Sequence, residues 1–211
     1  MAAERAHIEN FVFDMGNVLM RFDGLHFARA FTQNEDDAHA LDDALFNRPE
    51  WALLDAGAIS YGTMKRIAAA SLPERLQPAL DACFDGWPAL SEPLPEVNDL
   101  AIRLKRQGHG LYLLSNAGLR IGAQLDHMPA MPYLDGRVVS AEERIMKPDV
   151  AIYRLFCERF GLDPATCLFI DDNANNCVGA RLAGMRAYRF TGDAEALEAF
   201  INQSSVPDPN G

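Results

Sequence analysis

Short strand-like runs alternate with amphipathic helical patterns through the second half of the chain, and this alternation limits the possible folds more than any other feature. Residues 111–114, 167–170 and 186–190 have strand length, and the stretches between them carry apolar residues at helical spacing. Strands separated by helices pair in parallel, because each helix carries the chain back over a face of the sheet. The sequence therefore predicts an α/β fold in which a parallel sheet has helices on both faces.

One further apolar run, residues 8–13, lies near the start of the chain and has the composition of a strand buried on both faces. It leads directly into Asp14, and Gly16 follows two residues later. Ligands of open α/β sheets bind outside the carboxyl ends of the strands, so Asp14 is placed to meet one. Gly16 lets the backbone turn tightly and approach a ligand or a metal ion. Taken alone, this stretch fits a simple helix cap at Asp14 equally well.

The stretch from residue 21 to residue 87 has a different sequence pattern, with helical spacing of apolar residues and almost no strand-like runs. We interpret its prolines and glycines as breaks between helices: Pro49, Gly57, Gly62, Pro73 and Pro78. Because this insertion begins just after the first strand, we expect it to lie over the carboxyl edge of the sheet and to cover Asp14. Its two tryptophans, Trp51 and Trp87, fit a buried core better than a substrate platform.

We divide the chain accordingly into two predicted domains. Residues 1–20 and 88–211 form the core domain with the parallel sheet, and residues 21–87 form an inserted helical cap domain. A chain of 211 residues is long enough to bury a sizeable core and still carry such an insertion.

The charge and the cysteines restrict the possible partners and the compartment. The net charge of -11, from 19 Lys and Arg against 30 Asp and Glu, opposes a general affinity for nucleic acid or for an anionic membrane. The four cysteines show no C-x-x-C pairing, which argues against a zinc site or a disulfide framework. The polar start, MAAERAHIEN, has no apolar run of signal-peptide length. We expect a cytoplasmic protein.

Polar residues stand where the predicted strands end, and one edge of the sheet should collect them: Asp14, Ser115, Asp171 and Asp172, with Lys147 on a nearby loop. Three neighbouring carboxylates cannot all ionise in a low dielectric without a compensating cation, and magnesium suits oxygen ligands. Lys147 and Ser115 would then bind a phosphate group, and one carboxylate would attack phosphorus to form an aspartyl phosphate that water hydrolyses. Each residue also has a simpler interpretation, as a helix cap, a surface ion pair or a solvated turn.

Four segments, in this order, resemble the four signature motifs of the haloacid dehalogenase (HAD) superfamily: DMGNV at 14–18, LLSNA at 113–117, KP at 147–148 and FIDDNANN at 169–176. The resemblance covers nearly the whole chain, and the insertion resembles a cap of the C1 type, as in subfamily IA. The wording is most similar to the bacterial α-glucose-1-phosphate phosphatase-like proteins. The resemblance implies a HAD-like Rossmannoid sheet with an inserted cap. It also implies an Mg2+-dependent phosphatase acting on a small phosphorylated metabolite, expected to be a sugar phosphate.

The resemblance also implies roles for the residues that bind the phosphate group and react with it. Asp14 matches the catalytic nucleophile and first magnesium ligand, and Gly16 matches the position whose backbone carbonyl reaches the metal. Ser115 matches the phosphate-binding hydroxyl, with the backbone of Asn116 beside it. Lys147 matches the residue that stabilises the nucleophile and the phosphoryl group.

In the last motif the resemblance implies metal-binding roles. Asp172 matches the acidic metal ligand, and Asp171 supports or shares that role. Asn176 lies one helical turn after Asp172, where it would orient the metal's water shell or a neighbouring ligand.

Gly16 departs from the pattern. Most phosphatases of the superfamily carry at this position a second aspartate, which acts as general acid and base. Gly16 cannot take that role, so the proton donor is unassigned: Asp23, a cap group such as His26, or water could replace it.

Three other functions stay open, of which Gly16 most disfavours a mutase, because a mutase would need the missing acid to pass protons between sugar hydroxyls. A metal-independent 2-haloacid dehalogenase would use Asp14 against a carbon–halogen bond, although the Asp171–Asp172 pair favours a metal. A non-catalytic binding protein on the same fold would explain Gly16.

Overall fold

The computed structural model describes residues 7–205 and contains one sheet of five parallel strands. The strand order is β3-β2-β1-β4-β5, so the first strand lies at the centre. The strands are β1 (Asn10–Phe13), β2 (Gly110–Ser115), β3 (Gly136–Val139), β4 (Cys167–Asp171) and β5 (Arg186–Arg189).

Helices cover both faces of the sheet and form the insertion after β1. They are α1 (Gly24–Arg29), α2 (Glu35–Leu45), α3 (Pro49–Asp55), α4 (Tyr61–Ser71), α5 (Gln77–Gly86), α6 (Pro95–Arg106), α7 (Gly122–Leu125), α8 (Ser140–Glu143), α9 (Val150–Phe160), α10 (Ala174–Leu182) and α11 (Ala194–Ser205). The ends of α9 show how local sequence sets such bounds. Asp149 Oδ1 accepts a hydrogen bond from Ala151 N, and Gly161 ends the helix in the left-handed conformation.

Alternate residues of β1 face the two helical layers, as expected for a central strand. Phe11 and Phe13 belong to one hydrophobic cluster with Leu100 of α6, whereas Val12 belongs to another with Ile152 of α9. A strand that is covered on both faces has to be apolar throughout, which explains the uninterrupted run in the sequence. The structure thus confirms the predicted parallel sheet with helices on both faces.

Between β1 and α6 the chain forms α1 to α5, whose buried side chains make a third hydrophobic cluster. The two connections to the sheet run side by side, since Arg21 N donates a hydrogen bond of 2.7 Å to Glu92 O. This arrangement agrees with an inserted helical cap, and the division into two domains stays a prediction. Residues 1–6 and 206–211 of the predicted core domain lie outside the described residues.

Some of the breaks predicted within the insertion are wrong. Pro78 is the second residue of α5 and Gly62 is the second residue of α4, so neither separates two helices, whereas Pro49 does mark a boundary, as the first residue of α3. Amides in the first turn of a helix have no intrahelical acceptor, so a proline there loses no hydrogen bond. A break at Pro78 leaves no room for α5, which is why the sequence pattern does not predict this helix.

Gly179 lets α10 pack directly on the segment that follows Lys147. A Cβ atom at Gly179 would overlap Pro148 O and lie 2.9 Å from Tyr153 Cε2. We expect Gly179→Ala to lower the free energy of unfolding by about 1–3 kcal/mol, because a well-packed interior has no room for the methyl group. Denaturant unfolding should show the loss.

Gly122→Ala is the matched control, because a Cβ atom there would meet nothing within 4 Å. We expect this variant to unfold at the same denaturant concentration as the wild type or a higher one. Equal stability of the two variants would contradict the proposed close packing at Gly179.

Candidate active site

The carboxyl edge of the sheet brings the residues singled out from the sequence together. Asp14 follows β1 directly, Ser115 is the last residue of β2, and Asp171 is the last residue of β4. The register pairs Phe13 with Ile170, so Asp14 and Asp171 lie side by side on adjacent strands. Parallel strands place all their carboxyl ends at one edge, which is why residues far apart in sequence meet here.

Lys147 lies between two of these carboxylates. Its Nζ is 2.8 Å from Asp14 Oδ1 and 2.7 Å from Asp171 Oδ2, and the side chains of Lys147 and Asp171 are fully buried. Burial acts to lower the pKa of Lys147, but the charges of Asp14 and Asp171 outweigh it and leave the pKa above its ordinary value. Lys147 is therefore a buried, charged cation whose removal would leave two carboxylates uncompensated.

Asp14 is buried next to the negatively charged Asp171, and both conditions oppose its ionisation. Burial raises the pKa of Asp14 to about 7, against the opposing charge of Lys147, and the charge of Asp171 raises it further. Met15 N donates a hydrogen bond of 2.7 Å to Asp14 Oδ1 and stabilises the anion. Additional positive charge next to Asp14 would favour the ionised form needed of a nucleophile.

Asp171 is held by several donors besides Lys147. Asn176 Nδ2 lies 3.1 Å from each carboxylate oxygen, and Asn173 N donates to Oδ1 at 2.8 Å. These bonds orient the carboxylate towards Lys147. Asn176 thus contacts a neighbouring candidate ligand, one of the two roles that the resemblance implied for it.

Asp172 completes an acidic cluster. Oxygens of Asp14, Asp171 and Asp172 lie within 4.8 Å of one another, and within residues 7–205 no other such group of His, Cys, Asp or Glu side chains could hold a metal ion. Burial, followed by the charge of Asp171, raises the pKa of Asp172, while the Asn17 side chain opposes the shift. Clustered carboxylate oxygens are a donor set that fits Mg2+. Gly16 lines the same cavity, and its carbonyl stays a predicted ligand.

Asn116 positions Lys147 through its side chain. Its Oδ1 accepts a hydrogen bond from Lys147 N and its Nδ2 donates to Lys147 O, both at 2.9 Å. Ser115, by contrast, is buried at the floor of the cavity that contains Asp14. This leaves the Ser115 hydroxyl and the Asn116 backbone as the predicted phosphate contacts.

A cavity of about 280 Å³ lies between this edge and the inserted helices. The insertion contributes an aromatic wall: Phe22, Trp51, Tyr61, Phe84 and Trp87. Trp51 and Trp87 pack against each other with ring centroids 5.7 Å apart, and both contact the insertion's hydrophobic cluster. The two tryptophans therefore form part of the core, as predicted, and also line the cavity.

Asp55, the last residue of α3, lines the cavity but is not among the site residues predicted from the sequence. Burial raises the pKa of Asp55 to about 7, the Gly118 backbone amide lowers it, and the charge of Asp14 raises it. Asp23 and His26, the two groups suggested from sequence, are exposed at the start of α1, where Asp23 Oδ1 accepts a hydrogen bond from His26 N. Neither residue lines the cavity. No local signal marks Asp55, because its position depends on how the insertion packs.

Comparisons with known proteins agree with this fold. The family model of the haloacid dehalogenase-like hydrolases matches residues 8–184. A phosphatase of Mycobacterium tuberculosis, MT3486, is 33% identical over 119 residues, 56% of this chain and 55% of that protein. An (S)-2-haloacid dehalogenase of Pseudomonas sp. is 34% identical over 93 residues, 44% of this chain and 40% of that protein. The chain thus spans about half the length of these relatives or less.

A solved structure extends the likeness to the whole fold. The magnesium complex of the HAD family enzyme bt-2542 from Bacteroides thetaiotaomicron superposes with a TM-score of 0.69 at 19% identity, covering 92% of this chain and 99% of that one. At this identity the likeness concerns the fold alone. Among residues 7–205, no helix combines the length and the apolar character required to cross a bilayer.

Proposed function

Because the chain belongs to the haloacid dehalogenase-like hydrolases, we propose that it is an Mg2+-dependent phosphatase of small phosphorylated metabolites. The observation that carries the proposal is the ion pair between Lys147 and Asp14 beside the carboxylates of Asp171 and Asp172, in one cavity. A carboxylate nucleophile, a buried cation and spare carboxylate oxygens together suit phosphoryl transfer.

In the proposed reaction the Asp14 carboxylate attacks phosphorus and the bond to the leaving group breaks. Water then hydrolyses the aspartyl phosphate and regenerates Asp14. Lys147 balances the charge that develops on the phosphoryl oxygens, and Ser115 and the Asn116 backbone donate hydrogen bonds to them. Asp14, Asp172, the Gly16 carbonyl and Asp171 would hold Mg2+, which supplies further positive charge when bound.

Fewer observations support the identity of the substrate than support the type of reaction. The motif wording favours a sugar phosphate, but the names of the three proteins described above do not mention this substrate class, so that narrower resemblance stays a prediction. The aromatic wall offers apolar surface against which the face of a sugar ring, or another apolar group, can pack. A substrate panel should therefore include sugar phosphates and phosphates of apolar alcohols.

A 2-haloacid dehalogenase is the second candidate, supported by the match to the Pseudomonas enzyme. It would use Asp14 to displace halide from carbon and would need no metal. The half-buried Asp172 beside Asp14 and Asp171 favours the phosphatase, because a third carboxylate is costly unless a cation compensates it.

We expect phosphate release from the panel to require Mg2+ and to stop when a chelator is added. Mg2+ should also raise the unfolding temperature of the wild type, by the equivalent of about 2.7 kcal/mol at one hundred times the dissociation constant. Asp172→Asn should lose most of both effects. Asp99→Asn, at an exposed position on α6, is the matched control and should keep them.

Halide release is measured in parallel from a 2-chloro acid. Halide release that persists with chelator, without phosphate release, would replace the phosphatase with the dehalogenase. Mg2+ stabilisation without turnover of any substrate would point to a binding protein, in which the replacement of the usual aspartate by Gly16 has removed catalysis.

A further inference from the structure

We infer that Asp55, on the inserted helices, is the general acid and base for which Gly16 leaves no side chain. The inference rests on the proposed phosphatase function. It assigns a catalytic role to a residue outside the four sequence motifs.

The first support is position. Asp55 lines the cavity that also contains Asp14 and Gly16. It ends α3, so its side chain is carried by the inserted helices and faces the carboxyl edge of the sheet. It is not part of the cluster of carboxylates within 4.8 Å that would hold the metal. Asp55 is therefore a cavity carboxyl with no metal to bind.

The second support is the way in which this end of α3 is fastened to the core. Ser140 Oγ donates a hydrogen bond of 2.6 Å to Asp55 O. Two residues later Gly57 adopts φ +65, and a Cβ atom there would lie only 2.6 Å from Ala141 O. The backbone from Asp55 to Gly57 thus lies directly against α8. The end of α3 that carries the carboxyl group therefore has a defined place at the cavity.

The third support is the environment of the carboxyl group. Trp51 and Leu54 of α3 supply apolar cavity wall beside it, the Gly118 backbone amide donates a hydrogen bond to it, and Asp14 lines the same cavity. Burial and the charge of Asp14 keep the pKa near 7, so both protonation states are accessible at neutral pH. A general acid and base needs such a balance.

Other charged groups on the elements packed against α3 are mostly engaged elsewhere. Tyr61 of α4 interacts electrostatically with Asp55 and accepts a hydrogen bond from Arg120 N. Arg66 of α4 contacts Thr63, and other charges are paired as Arg48 with Glu50, Lys65 with Asp81, Arg120 with Asp85, Arg137 with Glu142, and Arg159 with Glu143. Asp14 is consequently the main charge that Asp55 faces.

The proton balance of the two steps follows. As the bond from Asp14 to phosphorus forms, protonated Asp55 gives its proton to the leaving-group oxygen, whose bond to phosphorus breaks. The Asp55 carboxylate then takes a proton from the water whose oxygen attacks phosphorus and displaces Asp14. Phosphate leaves, and Asp55 is protonated again for the next cycle.

The test compares Asp55→Asn with Asp23→Asn, which changes the exposed aspartate at the start of α1. With an alkyl phosphate, whose leaving group needs a proton, we expect Asp55→Asn to lower kcat/KM by about 10²–10⁴-fold. With 4-nitrophenyl phosphate the loss of a base should show as a burst of nitrophenol followed by slow phosphate release. Asp23→Asn should behave as the wild type on both substrates.

The pH profile supplies a readout that a purely structural role would not move. A general acid must be protonated, so wild-type kcat/KM on the alkyl phosphate should fall as pH rises through about 7. This limb should be absent from Asp55→Asn. Thermal unfolding of the variant, expected to match the wild type, shows that the protein is folded.

Restoring the usual residue provides a rescue. A Cβ atom at Gly16 would meet only Phe22 Cβ, at 3.9 Å, so the site has room for the start of a side chain. Gly16→Asp in the Asp55→Asn background should regain about tenfold or more of the lost activity on the alkyl phosphate.

The role of Asp55 would be overturned if Asp55→Asn lost the same factor in kcat/KM on the two substrates, or lost nothing on either, while the wild type and Asp23→Asn were active. The phosphatase proposal would then still stand. No phosphate release by the wild type would overturn both.

Discussion

Asp14→Asn is expected to abolish phosphate release, with a loss of roughly 10⁶-fold in kcat, the scale seen when a catalytic nucleophile is removed. The amide keeps the shape of the side chain but cannot attack phosphorus. The buried Lys147 keeps its contact with Asp171 at 2.7 Å, so it does not lose all charge compensation. The variant should therefore stay folded, and its stability should equal or exceed that of the wild type.

Two measurements on the same preparation check this result. Phosphate release from the most active substrate reports turnover, and thermal unfolding reports the fold. The Asp23→Asn variant serves again as the control for an aspartate outside the cavity. Residual activity within about a hundredfold of the wild type would show that another group attacks phosphorus and would remove Asp14 from the mechanism.

Lys147→Met is expected to damage stability and activity together. The side chain is fully buried and pairs with both Asp14 and Asp171, so its removal leaves two carboxylates without a cation. Breaking a buried ion pair in this way costs about 3–5 kcal/mol in the free energy of unfolding. Loss of the positive charge next to the phosphoryl group should lower kcat by a further factor of about 10²–10³. Denaturant unfolding and phosphate release measure the two effects separately.

Lys105→Met is the matched control for the charge change. Lys105 also contacts an aspartate, with Nζ 2.6 Å from Asp135 Oδ1, but both side chains are about one-third exposed. We expect this variant to lose at most about 1 kcal/mol and to keep full activity, because exposed ion pairs contribute little. If the Lys147 variant lost no more stability than the Lys105 variant, the buried pair would not be the stabilising feature proposed here.

The variants Asp14→Asn and Lys147→Met test two different properties of the site. Asp14 tests the chemistry, whereas Lys147 tests whether the charges at the sheet edge are held in balance by a single buried cation. A metal ion bound at the acidic cluster would add charge of the same sign as Lys147. Added Mg2+ should therefore recover part of the stability that Lys147→Met loses.

Much of the core could be predicted from the sequence, for a local physical reason. A strand buried on both faces must be apolar along its length, and residues 10–13 and 167–170 show that composition directly. Parallel strands share one carboxyl edge, so Asp14, Ser115 and Asp171 could be expected to converge without any knowledge of side-chain positions.

The helix boundaries of the insertion were harder to predict, because proline and glycine occur both at helix starts and at helix breaks. Pro78 opens α5 and Pro49 opens α3, although both look like breaks in the sequence. The aromatic wall shows the same difficulty. Trp51 and Trp87 are core residues by composition, and only the packing of the insertion against the sheet edge makes them line the cavity.

The class of fold, the edge at which the site lies, and the set of polar residues at that edge could be predicted from the sequence, because period, strand length and strand direction are local properties. The partners of those residues are visible only in the folded molecule: Asn116 holds the backbone of Lys147, and Asp55 lines the cavity that contains Asp14. These contacts join segments far apart in the chain. The first depends on how two loops of the core pack together and the second on how the insertion packs against the sheet edge, and no local pattern encodes either arrangement.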